Sequence, residues 1–172
     1  MTYLVTEDGT GVAGANGYVT MEECAAYALA HGLTFTTSPS TTGETAIIRA
    51  TAYIDAVYRM RFVGYKTHGR DQVLEWPRTG VLDSQYFPIA NNEIPIEIKN
   101  ATCECAVREF AVPTSLMPDL ERGGQIRRLQ AGSVAIDYGA NASAITTFRT
   151  IDGILGNLIG TVGGFTAQAI RG

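Results

Sequence analysis

The chain has 172 residues, 45% hydrophobic and 17% charged, a composition that suits one folded domain with a modest core and little surface charge. A net charge of −4 argues against a protein that lives chiefly on phosphate contacts. Three cysteines, Cys24, Cys103 and Cys105, form an odd set without a CxxC pair, which speaks against a disulfide scaffold and fits reduced thiols.

Residues 1–19 read as an extended arm in which Tyr3 and Val5 alternate with polar neighbours before Gly9, Gly11, Gly14 and Gly17 interrupt. The start lacks the basic residues and apolar run of a secretory signal, and no apolar run is long enough to span a bilayer. The expectation is a protein folded in a cytoplasm with no membrane partner. Gly9-x-Gly11-x-x-Gly14 matches the spacing of a dinucleotide fingerprint, but Asp8 and Gly17 stand where the strand and helix should be. No nucleotide site is expected there.

Thr20-Met21-Glu22-Glu23 is a capping box that opens a first helix, with Cys24, Tyr27 and Ala28 on its buried face and Gly32 at its end. His31, near that end, suits the helix dipole better than a ligand role. A Ser/Thr-rich loop spans 34–42, and a second helix is predicted over 43–62 with Ile47, Ala50, Ile54, Val57 and Phe62 as its stripe. Residues 65–92 are irregular and hold the only tryptophan. Pro77 fixes its own φ and disfavours helical backbone at Trp76, so Trp76, Pro77 and Arg78 are predicted to form a core anchor at a rigid bend, with the guanidinium free to pair a carboxylate.

Ile94-Pro95 opens a third helix whose inner face carries Ile98, Ala101 and Cys105 and which ends before Pro113. Cys103 and Cys105 are two apart, point to different faces and do not suit one ion; free core thiols are expected. After a loop to Gly124, Ser133–Tyr138 alternates with period two, and Gln125–Ala131 is its hairpin partner across Gly132. Residues 139–149 read as a linker. Ile151, Ile154, Leu155, Leu158 and Ile159 then follow helical spacing, weakened by Gly153, Gly156 and Gly160. The predicted fold is mainly α: a small bundle of about three helices, an extended N-terminal arm, a short β-hairpin or strand extension, and a C-terminal helix on a linker. Its parts are the arm (1–19), a helical core (20–124), the β-extension and linker (125–149), and the last helix with a flexible tail (150–172).

Nothing in the pattern carries catalysis. The two histidines lack metal spacing, Ser115 and Ser133 lack a nucleophile elbow, Glu104 and Glu109 do not share a face, and Gly43-Glu44-Thr45 lacks the lysine of a phosphate loop. The expectation is no enzyme, no metal and no cofactor. One stretch does suggest nucleic acid: Tyr58, Arg59, Arg61, Phe62, Tyr65, Lys66, His68 and Arg70 interleave rings with cations, as single-strand binders do. Arg59, Arg61, Lys66 and Arg70 are its candidate contacts. The competing reading places Phe62 in the core and the arginines in solvent or in ion pairs.

The ordered signals Asn16-Gly17-Tyr18-Val19, Arg49–Asp55, Gln72-x-Leu74-x-Trp76-Pro77-Arg78-x-Gly80, Ile94-Pro95, Ala101-x-x-Glu104-x-Ala106 and Ala131–Tyr138 carry a resemblance. Together with the Ile154-Leu155 segment, they make the chain similar to the head–tail connector adaptors of tailed bacteriophages, head-completion proteins often labelled DnaT-like single-stranded-DNA-binding. The resemblance covers most of residues 12–160. It implies a virion protein of the neck, assembled in the host cytoplasm. It also implies a ring, usually of twelve copies, between the portal protein and a tail or stopper protein, with DNA passing through without specific binding. On that footing the apolar last segment (Ile151, Ile154, Leu155, Leu158, Ile159) is the expected portal or partner contact, and Val134, Ile136 and Tyr138 are placed to add a strand to a neighbour. The acidic balance suits a channel that repels DNA phosphates. The alternative is a single-stranded-DNA-binding accessory protein of replication; a hydrolase is a third and weaker option.

Overall fold

The computed structural model describes residues 3–116, 128–131, 134–137 and 148–160. Tyr138, the loop 117–124, nearly all of the expected linker and the tail after 160 lie outside the described residues.

Within them are four α-helices: α1 (Met21–Ala30), α2 (Ser40–Tyr58), α3 (Ile96–Ala111) and α4 (Arg149–Leu155). Two antiparallel strand pairs accompany them: β1 (Tyr65–Lys66) with β2 (Arg78–Thr79), and β3 (Arg128–Ala131) with β4 (Val134–Asp137). The architecture is mainly α with a small strand hairpin, as the periodicities predicted. Helix α3 is central and packs against α1, α2 and α4. That position explains why both Cys103 and Cys105 are buried, although two residues apart on one helix. One face meets α1 and the other faces α2 and α4.

The capping box at α1 is present in full: the Glu23 amide donates to Thr20 Oγ1, and the Thr20 amide donates to the Glu23 carboxylate. Helix α2 starts three residues earlier than its pattern suggested and stops four earlier. Gly43, read as a start signal, lies inside the helix because Met21 approaches it; a Cβ there would sit 2.7 Å from Met21 Sδ. The expected stripe is corrected at Val57, which is 43% exposed, while Tyr53 and Tyr58 face inward instead.

The N-terminal stretch is extended but not a loose arm, since Ala15, Tyr18 and Val19 are buried. Its glycines wrap the chain's own carboxylate. The amides of Gly9, Gly11 and Val12 donate to buried Glu7 at 3.0, 2.8 and 2.9 Å. Gly11 has φ +81, and a Cβ there would lie 2.6 Å from the His68 ring. The fingerprint spacing therefore reflects an anion cradle already filled by Glu7.

The irregular region after α2 is organised by three side chains of one motif. Trp76 is fully buried, edge-on to Phe62 at 5.7 Å, after which comes a cis Trp76–Pro77 peptide. Gln72 Nε2 donates to the carbonyls of Leu74 and Pro77 at 2.8 and 3.0 Å, and its Oε1 accepts from the His68 amide. Arg78 donates to Val63 O at 2.8 Å, to Gly64 O at 2.7 Å and to the Glu75 carboxylate at 3.1 Å. The bend carrying Trp76, Pro77 and Arg78 thus has its indole and guanidinium buried. Its energetic content is the satisfaction of backbone carbonyls that no sheet covers.

The last segment differs most from expectation. Ile151, Leu155 and Leu158 are fully buried in this subunit's own core, with Ile154 and Ile159 packed against it. Phe62 and Ile159 form a β-bridge, and the Gly160 amide donates to Arg61 O at 2.7 Å. The apolar stripe expected to contact a portal or partner is instead sheltered within the chain, by α3 and the turn after α2.

Candidate nucleic-acid interface

Residues 56–70 contain no aspartate or glutamate and hold four of the thirteen lysines and arginines. Helix α2 ends at Tyr58 because the chain tightens into turns: the Arg61 amide donates to Tyr58 O, and Val63 turns toward Leu158 O. Those turns divide the basic and aromatic side chains into two groups.

One group is internal. Tyr58 and Phe62 are buried. Arg61 pairs with Asp152 at 3.1 Å and its guanidinium lies 5.1 Å from the Tyr58 ring centre. Lys66 pairs with Glu75 at 3.3 Å and donates to Gln72 O. The other group faces solvent. Arg59 is exposed, and only its Nε is engaged, on Asp55 O at 3.3 Å. Arg70, in a 3-10 turn, is exposed and has no ion pair among the described residues. Between them in sequence, the Tyr65 ring is 81% exposed. Of the four cations singled out from the sequence, Arg59 and Arg70 remain available to a ligand, while Arg61 and Lys66 are committed to carboxylates. Asp152 lies 91 residues from Arg61, and Glu75 meets Lys66 only through the turn between them, which is why the pattern alone could not separate the two groups.

Two further exposed rings are Tyr86 and Phe87, in the loop after β2. Their loop is held by Asp83, whose carboxylate accepts from the amides of Gln85 and Phe87 at 2.8 and 2.9 Å, and Tyr86 has φ +66. The legible signal was an aspartate opening a polar turn before Tyr-Phe-Pro.

Behind the strip, Asp55 is buried on α2. Tyr18 Oη donates to its Oδ1, and the Glu75 amide donates to its Oδ2 at 3.1 Å. Burial pushes the Asp55 carboxyl up to about 6, against the opposing pull of those hydrogen bonds and of Lys66. Burial, and then the Asp55 charge, hold the Tyr18 phenol well above its usual range. This network fastens the Trp76 bend to α2.

The remaining site candidates fall elsewhere. Ile151, Leu155 and Leu158 have no exposed surface to offer a portal or other partner in this state of the chain. Val134 and Ile136 lie on β4, paired in register with Ala131 and Leu129. A shallow groove of about 320 Å³ lies between α2 and the end of α3, lined by Thr41, Thr45, Arg49, Glu109 and Pro113. Among its lining residues exposed Arg49 pairs with buried Glu109 at 3.1 Å. Among the described residues no three His, Cys, Asp or Glu side chains stand together to hold a metal, and no helix is long and apolar enough to cross a membrane.

Fold and surface together give a small, mainly α protein in which Arg59, Tyr65 and Arg70, close in sequence, are each exposed. The chain belongs to the family described as "Putative DnaT-like ssDNA binding protein", whose model matches residues 2–172. No curated protein and no solved structure matches the chain.

Proposed function

We propose that this chain is a DNA-handling protein without catalytic activity that binds single strands along Arg59, Tyr65 and Arg70. The observation that carries the reading is the pair of exposed arginines, without a carboxylate partner among the described residues, that flank an exposed tyrosine in a stretch of sequence without acids. The family description supports it. Cations neutralise phosphates, and an unburied ring stacks on bases without regard to sequence. The test is anisotropy of a labelled oligothymidine titrated at several salt concentrations. Losing two phosphate contacts in Arg59→Ala/Arg70→Ala lowers the salt slope by about 1.4. Tyr65→Ala weakens binding by roughly 1 to 3 kcal/mol. Arg61→Ala and Lys66→Ala change affinity less, because Asp152 and Glu75 hold those cations. Binding that ignores salt, or is unaffected by the double substitution, overturns the reading.

A second reading is the neck adaptor ring of a tailed phage: copies of this chain in a ring, contacting a portal protein and a tail or stopper protein in the virion. It is favoured by the β3–β4 hairpin, a two-stranded sheet whose outer edges have no strand partner among the described residues. Such edges accept a strand from a neighbour. Co-sedimentation with portal rings, lost when residues 128–137 are replaced by a Gly/Ser linker, supports it. Retention of ring binding by that variant removes the hairpin from the contact.

A further inference from the structure

Helices α1 and α3 run side by side in a register fixed by two cross-helix contacts. Lys99 Nζ meets Glu23 Oε1 at 2.8 Å, and four residues along α1 the Tyr27 hydroxyl meets Glu104 Oε2 at 3.5 Å. Cys24 precedes Tyr27 by three residues and Cys103 follows Lys99 by four, so each shares a helix face with a side chain that reaches across, and the two cysteines fall on facing sides of the seam. Both are buried, at 0% and 3% exposure, in the seam between the two helices. Cys105, two residues on from Cys103, lies on a different face of α3.

We propose that Cys24 and Cys103 are a redox pair that closes to a disulfide joining α1 to α3. The oxidant is a small soluble disulfide of the glutathione class. One cysteine, as thiolate, attacks that disulfide and releases one small thiol, leaving a mixed disulfide. The second cysteine, as thiolate, displaces the other small thiol and forms the Sγ–Sγ bond. The protein gives up two electrons and two protons, and the small disulfide becomes two thiols. The bond ties residues 79 positions apart, so it constrains the unfolded chain and raises the unfolding midpoint of the oxidised form. In the closed fold the Cys24 thiol is held well above the usual thiol range by the facing Cys103 and by burial. Attack therefore waits for α1 to open, and mild denaturant accelerates it.

The experiment uses the full chain incubated with oxidised glutathione, quenched in acid, unfolded, alkylated and peptide-mapped. The expected product has lost the mass of two hydrogens, contains a linked Cys24–Cys103 peptide and carries alkylated Cys105. Cys105→Ser leaves that product unchanged; Cys24→Ser and Cys103→Ser abolish it. Three alkylated cysteines after exhaustive oxidation overturn the proposal, as does a stable glutathione adduct or a link through Cys105. Mapping the unsubstituted chain decides the matter even if a serine variant does not fold.

Discussion

Asp55 makes a prediction with an unusual sign. Its side chain is buried, forms no ion pair among the described residues, and titrates near 6, against an ordinary carboxyl value of 3.8. Because the folded state holds the proton more tightly, stability from this group is fully present below about pH 4 and is lost as pH rises through 6. A shift of that size is worth about 3 kcal/mol, to order of magnitude. The perturbation is Asp55→Asn, which keeps an oxygen for the Tyr18 hydroxyl but turns a second donor toward the Glu75 amide. Losing that acceptor costs about 1 kcal/mol at every pH. The variant is thus expected to be less stable than the parent at pH 4 by about 1 kcal/mol and more stable at pH 7.5 by roughly 2. Urea unfolding of both proteins across that range gives the difference curve. Glu23, held low by Lys99 and the Thr20 amide, acts in the opposite sense but cancels in the difference. A variant destabilised equally at both ends of the range would refute a raised Asp55.

Trp76→Phe should cost much less than Trp76→Ala, because the indole Nε1 has no hydrogen-bond partner to lose; about 1 to 2 against 3 to 5 kcal/mol is expected from chemical denaturation. Arg78→Lys should cost about 2 to 4 kcal/mol, since one ammonium cannot serve both Val63 O and Gly64 O, and a calorimetric loss under 1 would deny the carbonyl-stapling role. Leu155→Ala should cost about 2 to 5 kcal/mol with the urea m-value unchanged; no loss would mean that α4 does not occupy the core.

What the sequence revealed divides along physical lines. Local devices were legible: the Thr20–Glu23 capping box, the period-two run opposite Arg128–Ala131, and the apolar spacing of Ile151, Leu155 and Leu158 each appear as read. These depend on neighbours within a few residues. The β1–β2 pair was not foreseen, because two-residue strands have no periodicity and are held here by Arg78 and Gln72. The shelter of α4 was missed for a related reason. A stripe of apolar residues shows that something must cover it, but not which chain does so. In the strip, interleaved rings and cations were visible, while their division depended on Asp152, which lies 91 residues from Arg61.

The placement of α4 sets a threshold for any partner that would use the same residues. Three fully buried aliphatic side chains, Ile151, Leu155 and Leu158, together represent roughly 5 to 9 kcal/mol of apolar burial. The accompanying Arg61–Asp152 pair is about one-third exposed on both sides and adds little. A portal that took α4 would have to bury at least as much of the same surface, and would leave Phe62 and the inner face of α3 uncovered in exchange. A partner that instead meets the hairpin edges or the exposed Arg59–Arg70 strip leaves that core intact. On these magnitudes the low-cost contacts are those already facing solvent, and a ring or a DNA strand would engage the protein there first.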